Sequence, residues 1–132
     1  MAAQGVSPAP PGAPAGSHRG DAGEDLACDY LRRRGLKILA RNYRCRAGEI
    51  DVVAEDRGTV VFVEVKERHG ESHGSAVEAV TAAKRLKVIR AARAYASIHG
   101  LSDSPLRFDV VAIDWGPEGP RVRHDAGAFG ER

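Results

Sequence analysis

At 132 residues, 42% hydrophobic and 29% charged, the chain has the size and composition of one globular domain with a modest core. A formal net charge of +2 says little about partners, and two cysteines, Cys28 and Cys45, without a CxxC exclude a disulfide framework. No apolar run approaches the ~18–20 residues that span a bilayer, and the N-terminus lacks the basic and apolar regions of a signal peptide. A cytoplasmic location, reduced thiols and no membrane association are therefore expected.

Residues 1–18 are rich in Ala, Pro and Gly without periodicity and are predicted to form a disordered tail. Residues 19–116 are predicted to form the folded domain, and 117–132 a short edge strand or frayed end. A first helix is predicted from about Asp21 to Arg34, stopped by Gly35. Asp21, Glu24 and Asp25 begin it and Arg32 to Arg34 close it, as the helix dipole favours. Leu26, Ala27, Tyr30 and Leu31 form its apolar stripe; Cys28 reads as packing. Glu24 lies on the rim of the stripe, where it could face a site beside the sheet or serve only the dipole.

Leu36 to Arg46 reads as a first strand, with Leu36, Ile38 and Ala40 alternating against Lys37, Leu39 and Arg41. Gly48 to Lys66 then reads as a hairpin of two β-branched runs around Arg57-Gly58. His69 to Gly74 is a polar loop; His69 and His73 have no second ligand pair for zinc. A second helix is predicted from an N-cap at Thr81 to about His99, with Ser75-x-x-Glu78 as an alternative start. Leu106 to Trp115 is a further strand, parallel to the preceding one through a βαβ crossover. Arg121 to His124 is a short edge strand.

The hairpin carries the chemistry. Glu49, Asp51 and Val53 share one face of the first strand, opposite Ile50, Val52 and Ala54; Glu64 and Lys66 share one face of the second. A two- or four-residue loop sets Asp51 across from Glu64, whereas a three-residue loop separates them. Directly opposed carboxylates, with Cβ atoms ~4.5–5.5 Å apart, suit one hard divalent cation. Lys66, roughly 6–7 Å farther along, could reach a phosphate or an attacking water. The competing reading is a solvated sheet face on which Lys66 pairs with Glu49 across the strands. Two acid-free basic clusters accompany the hairpin: Arg32 to Arg46, including Arg41, Arg44 and Arg46, and Lys84 to Arg93, including Lys87. Both suit a polyanion such as nucleic acid.

Helix, three antiparallel strands, helix and parallel strand, with an acid in the first helix, Asp51, and Glu64-x-Lys66, resembles the PD-(D/E)XK, restriction-endonuclease-like superfamily. More narrowly, 20–27, 39–51, 62–66, Ala79-Val80-Thr81 with Lys84, and 107–111 resemble the YraN-type family of small bacterial proteins, similar in core to Holliday-junction resolvases. The resemblance implies an α/β fold of αβββαβ order with a mixed sheet flanked by helices. It implies an Mg²⁺- or Mn²⁺-dependent endonuclease acting on DNA, with branched or damaged DNA among its substrates. Glu24, Asp51, Glu64 and Lys66 match the catalytic positions, with Asp51, Glu64 and the Val65 carbonyl as metal ligands. Arg41, Arg44, Arg46, Lys84 and Lys87 would contact the nucleic acid. Two-strand cutting would call for a homodimer. The alternative is a non-catalytic nucleic-acid- or partner-binding module on the same fold. Glu67 stands where the family more often has a small polar residue, and by alternation should point to the opposite face.

Overall fold

The central apolar runs fold back on each other because Arg57 and Gly58 both adopt positive φ, 51° and 92°. That is the requirement of the tight two-residue turn whose twist matches that of the flanking strands. Asp56 pairs with Thr59, and the register runs unbroken to Val52↔Val63, so the next position sets Asp51 across from Glu64. Residues 21–70 and 74–130 are described by the computed structural model; the predicted tail and His73 lie outside the described residues.

Helix α1 (Asp21–Arg33) is followed by β1 (Lys37–Cys45), β2 (Gly48–Asp56) and β3 (Thr59–His69), then α2 (Ala82–Ile98), β4 (Leu106–Gly116) and β5 (Gly119–Phe129). One sheet takes them in the order β1-β2-β3-β4-β5, antiparallel except for the parallel β3–β4 pair. The expected αβββαβ order is thus the observed one. Parallel strands are usually covered on both faces, and β3 accordingly buries Val60, Val61, Phe62 and Val63 in succession. On one face Ala27, Cys28 and Leu31 of α1 pack on Val52, Ala54, Val61, Val63, Val111 and Ile113. On the other, Val88, Ile89, Ala92 and Tyr95 of α2 pack on Val53, Phe62 and Phe108. Among the described residues no helix is long and apolar enough to cross a membrane.

Three local features depart from simple alternation. The β1–β2 register shifts between Ile38 and Ala40, a bulge that turns Ala40 into the α2-side cluster instead of the face of Leu36 and Ile38. Asn42 takes φ 54° between the Arg41↔Val52 and Tyr43↔Ile50 pairs, and beyond it Ile50 joins the α2-side cluster. The terminal strand is not Arg121–His124 but the eleven-residue β5. Its bulge beside Asp109 brings the Gly127 N–H 2.9 Å from the Asp109 carboxylate.

The second helix starts at the Thr81 cap; the alternative start at Ser75 is not part of it. Ser75 and Glu78 exchange the reciprocal capping bonds, Ser75 N–H to Glu78 at 3.3 Å and Glu78 N–H to Ser75 Oγ at 3.4 Å. They brace a separate 3₁₀ turn, Val77–Ala79, while Thr81 caps α2 itself by accepting from Lys84 N–H at 3.1 Å.

Candidate functional site

Past Val52↔Val63 the β2–β3 ladder ends, and the Val65 N–H donates instead to the Asp51 carboxylate at 2.8 Å. This bond fixes Asp51 beside Glu64. Glu64 is only 7% exposed, and its Oε1 is buried without a hydrogen-bond partner. Its other oxygen lies 3.9 Å from Lys84 Nζ. Burial, then the neighbouring Asp51, pushes the Glu64 carboxyl up to about 8 against the pull of Lys84 and Lys66. Burial also raises Asp51, opposed by the Val65 N–H and Lys84. Two acids in this setting share a proton near neutral pH. A hard cation replaces that proton well, and the orphaned Oε1 offers it a ready lone pair. Among the described residues no cluster of three His, Cys, Asp or Glu side chains completes a cage, so a cation here would draw further oxygens from the backbone, substrate or water.

Lys66 is exposed and makes no ion pair among the described residues, although its charge lowers Glu64. The cross-strand pair Lys66–Glu49 is not formed. Glu49 instead lies 3.3 Å from Arg44 and 3.8 Å from Lys84. Lys66 therefore borders an open cleft of about 250 Å³ with Glu64, Ala79, Val80, Thr81 and Lys84. The Thr81 cap holds Lys84 in the first turn of α2, where the helix dipole adds to its positive charge.

The remaining predicted residues divide into two groups. Glu24 is 8% exposed and accepts from Arg41 Nε and Asn42 Nδ2, both at 3.1 Å. Arg41 also meets Asp25 at 2.7 Å, so its guanidinium pins α1 to β1. Asn42 occupies the β1 position across from Asp51, linking the first-helix acid to the strand that borders the site. Arg44, Arg46 and Lys87 are exposed; Arg44 and Lys87 border a second cleft, about 310 Å³, which shares Glu49 and Lys84 with the acid pair. Arg85, within the second basic cluster, is spent on structure: it donates to the Val80 and Val77 carbonyls, each at 3.0 Å.

Sequence reasoning left out Asn42, Glu49 as the partner of Lys84, and the 3₁₀ turn as a wall. Asn42 did carry a signal, because Asn is a poor strand former and tolerates left-handed φ. Glu67 does point to the α1 face, where it accepts from Trp115 Nε1 at 2.8 Å and lies against Gly23.

The family model "Uncharacterised protein family UPF0102" matches residues 23–113, which contain the acid pair, Lys66 and Lys84. UPF0102 protein STH1475 of Symbiobacterium thermophilum is 49% identical over 100 residues, covering 76% of this chain and 85% of the relative. UPF0102 protein RSc3265 of Ralstonia nicotianae is 46% identical over 128 residues, 94% and 93% of the two chains. Among solved structures, SfsA of Pyrococcus furiosus in complex with Ca²⁺ aligns with a TM-score of 0.38 and 14% identity, over 88% of this chain and 65% of SfsA. With a family match across most of the described residues and relatives near half identity along most of their own length, the chain belongs to the UPF0102 family, the YraN-type group its motifs resemble.

Proposed function

We propose that the protein is a metal-dependent endonuclease that hydrolyses DNA phosphodiester bonds, with branched or damaged DNA as its substrate class. The observation that carries this reading is the buried Glu64 oxygen without a partner beside Asp51. Asp51, Glu64 and the Val65 carbonyl would hold Mg²⁺ or Mn²⁺, which supplies Lewis-acid polarisation of the phosphate when bound. The Val65 N–H keeps Asp51 aimed at the site. Lys66 orients the attacking water and stabilises developing charge from the cleft edge. Lys84 and the α2 N-terminus receive a phosphate, and Arg44, Arg46 and Lys87 extend the contact surface. Glu24 acts through Asn42 and Arg41 to hold β1 in place.

The test is cleavage of junction, flap and single-stranded substrates with Mg²⁺ or Mn²⁺ by wild type and Lys66→Ala. Cleavage lost in the variant supports the role of Lys66; equal residual activity removes it. The second reading, a non-catalytic binding module, is favoured by Lys84 lying 3.8–3.9 Å from both Glu49 and Glu64 as a built-in counter-ion. Calorimetric Mn²⁺ titration separates the two. Binding that disappears in Asp51→Asn supports the enzyme, and no binding with DNA affinity intact supports the module. A homodimer, which two-strand cutting calls for, is checked by sedimentation with and without DNA.

A further inference from the structure

Beyond the acid pair, β3 and β4 run on in parallel to His69↔Trp115, so the C-terminal ends of both strands reach the same edge of the molecule. Ligands of open α/β sheets gather at such ends. Here the β4–β5 turn opens a cleft of about 300 Å³ lined by Asp114, Trp115, Pro117, Glu118, Arg121 and Arg123, with glycines. That volume lies at the small end for ligand clefts and fits a single flat ring system. The indole is held in place: its Nε1 donates to Glu67 at 2.8 Å, and the exposed His69 ring stacks beside it at 14° and 6.4 Å between centroids.

The charged groups around this cleft are of both signs, Arg121 and Arg123 with Asp114 and Glu118. Asp114 receives Arg68 at 2.7 Å and Arg123 at 2.8 Å, two guanidinium groups on one carboxylate. Arg121 is exposed and makes no ion pair among the described residues. By register Arg121 faces Asp114, and Arg123 faces Ala112. Arg68 and Lys66 alternate with Glu64 on β3, so these basic groups continue on the face that carries the acid pair. Aromatic rings among arginines suit an unpaired nucleotide, whose base has a free face to stack and whose phosphates seek guanidinium groups. A duplex offers no such face.

We propose that this end of the sheet is a docking site for a single-stranded DNA arm. One base lies against the Trp115–His69 rings, and the flanking phosphates pair with Arg121 and Arg123. The inference rests on the reading that the chain acts on DNA, and it specifies where a flap or unpaired arm of the substrate runs. His69 lies five residues past Glu64, about 17 Å along the strand and on the α1 face with Trp115, so an arm joining the two passes around the strand ends and needs at least about five nucleotides at ~3.4 Å each. Arms shorter than that do not connect the two sites.

Trp115 is the only tryptophan, which makes its fluorescence a direct probe. The full chain is titrated in EDTA with oligothymidylates of about 12 and about 3 nucleotides and with a blunt duplex. Saturable quenching by the longer strand, at least tenfold weaker for the short one and for the duplex, is expected. Arg121→Gln and Arg123→Gln together should weaken binding. They should also flatten the slope of log K against log salt by about 1.4, since each single-strand phosphate contact contributes about 0.7. Arg121→Gln alone, which breaks no ion pair among the described residues, should give half of that change and guards against misfolding of the double variant. No quenching, equal quenching by the duplex, or unchanged affinity in both variants overturns the docking site. Asp51→Asn should quench as wild type does; wild-type protein that quenches but cleaves no substrate removes the nuclease reading alone. Cleavage without quenching removes this inference alone.

Discussion

Replacing Glu64 by Gln keeps the shape of the side chain and removes the charge that the site resists. In the folded protein burial and Asp51 lift the Glu64 carboxyl from 4.5 to about 8. Between these two values the unfolded chain has released its proton while the folded chain retains it. Fewer protons bound in the unfolded state means that stability falls as pH rises through this window. The favourable contribution is complete below 4.5 and is lost by about 8. At about 1.4 kcal/mol per tenfold in proton affinity, the span from 4.5 to about 8 sets an upper limit of about 5 kcal/mol. Urea unfolding of wild type and Glu64→Gln at intervals from pH 4 to 9 measures it. The curves should meet near pH 4 and diverge upward, with the variant more stable at pH 8 by at least ~2 kcal/mol. Subtracting the curves cancels titrations common to both, such as those of the histidines; the groups that face Glu64 are Asp51, Glu49, Lys66 and Lys84. Parallel profiles, or a wild type more stable than the variant at pH 8, would refute the reasoning that the acid pair is strained without a cation.

Three other perturbations test the surroundings. Asp109 is fully buried, and although burial pushes it up, His124, bidentate Arg107 and the Gly127 N–H hold it below the ordinary carboxylate value. Asp109→Ala should cost about 3–5 kcal/mol in urea unfolding. Its stabilisation is complete above its ordinary value of 3.8 and is lost below that as pH falls through the lowered folded value, so wild type should begin to destabilise in acid and the variant should not share that step. Thr81→Ala removes the α2 cap and should cost about 1 kcal/mol; calorimetry should also show weaker Mn²⁺ or DNA binding if Lys84 belongs to the site. Gly23→Ala adds a methyl where the Glu67 side chain lies. Loss of the Glu67–Trp115 bond, about 1 kcal/mol, is offset by about the same gain in helix propensity. The melting temperature should barely move while Trp115 emission shifts.

The fold was legible because its decisive signals are local. Arg57-Gly58 between two β-branched runs marks the hairpin, and Thr81 with Gly100 frames α2, whereas the loop length that sets Asp51 against Glu64 is settled by the positive φ of Arg57 and Gly58 in the structure. What stayed hidden depends on partners far along the chain. Val122 packs on the α1 side and Phe129 on the α2 side of a strand that bulges between them, so β5 carries no clean alternation and its length emerged only from pairing with β4. Arg41 reads as a surface cation until Glu24 and Asp25 are brought across from α1. Arg85 likewise reads as part of a polyanion-binding cluster until the carbonyls of the 3₁₀ turn claim it. Ser75-x-x-Glu78 and Thr81 both signal a start, and local rules cannot say that each begins its own element.

The outer margin of β5 bears on self-association. Pro120 withholds an amide at its start, Arg121 and Arg123 add charge after it, and Gly127, at φ 62°, sits in a bulge that gives its N–H to Asp109. A neighbouring copy arriving edge to edge finds a broken row of donors and like charges opposing each other. Sheet extension through this rim is therefore guarded against, and a two-fold assembly would have to be built on a different flank of the molecule.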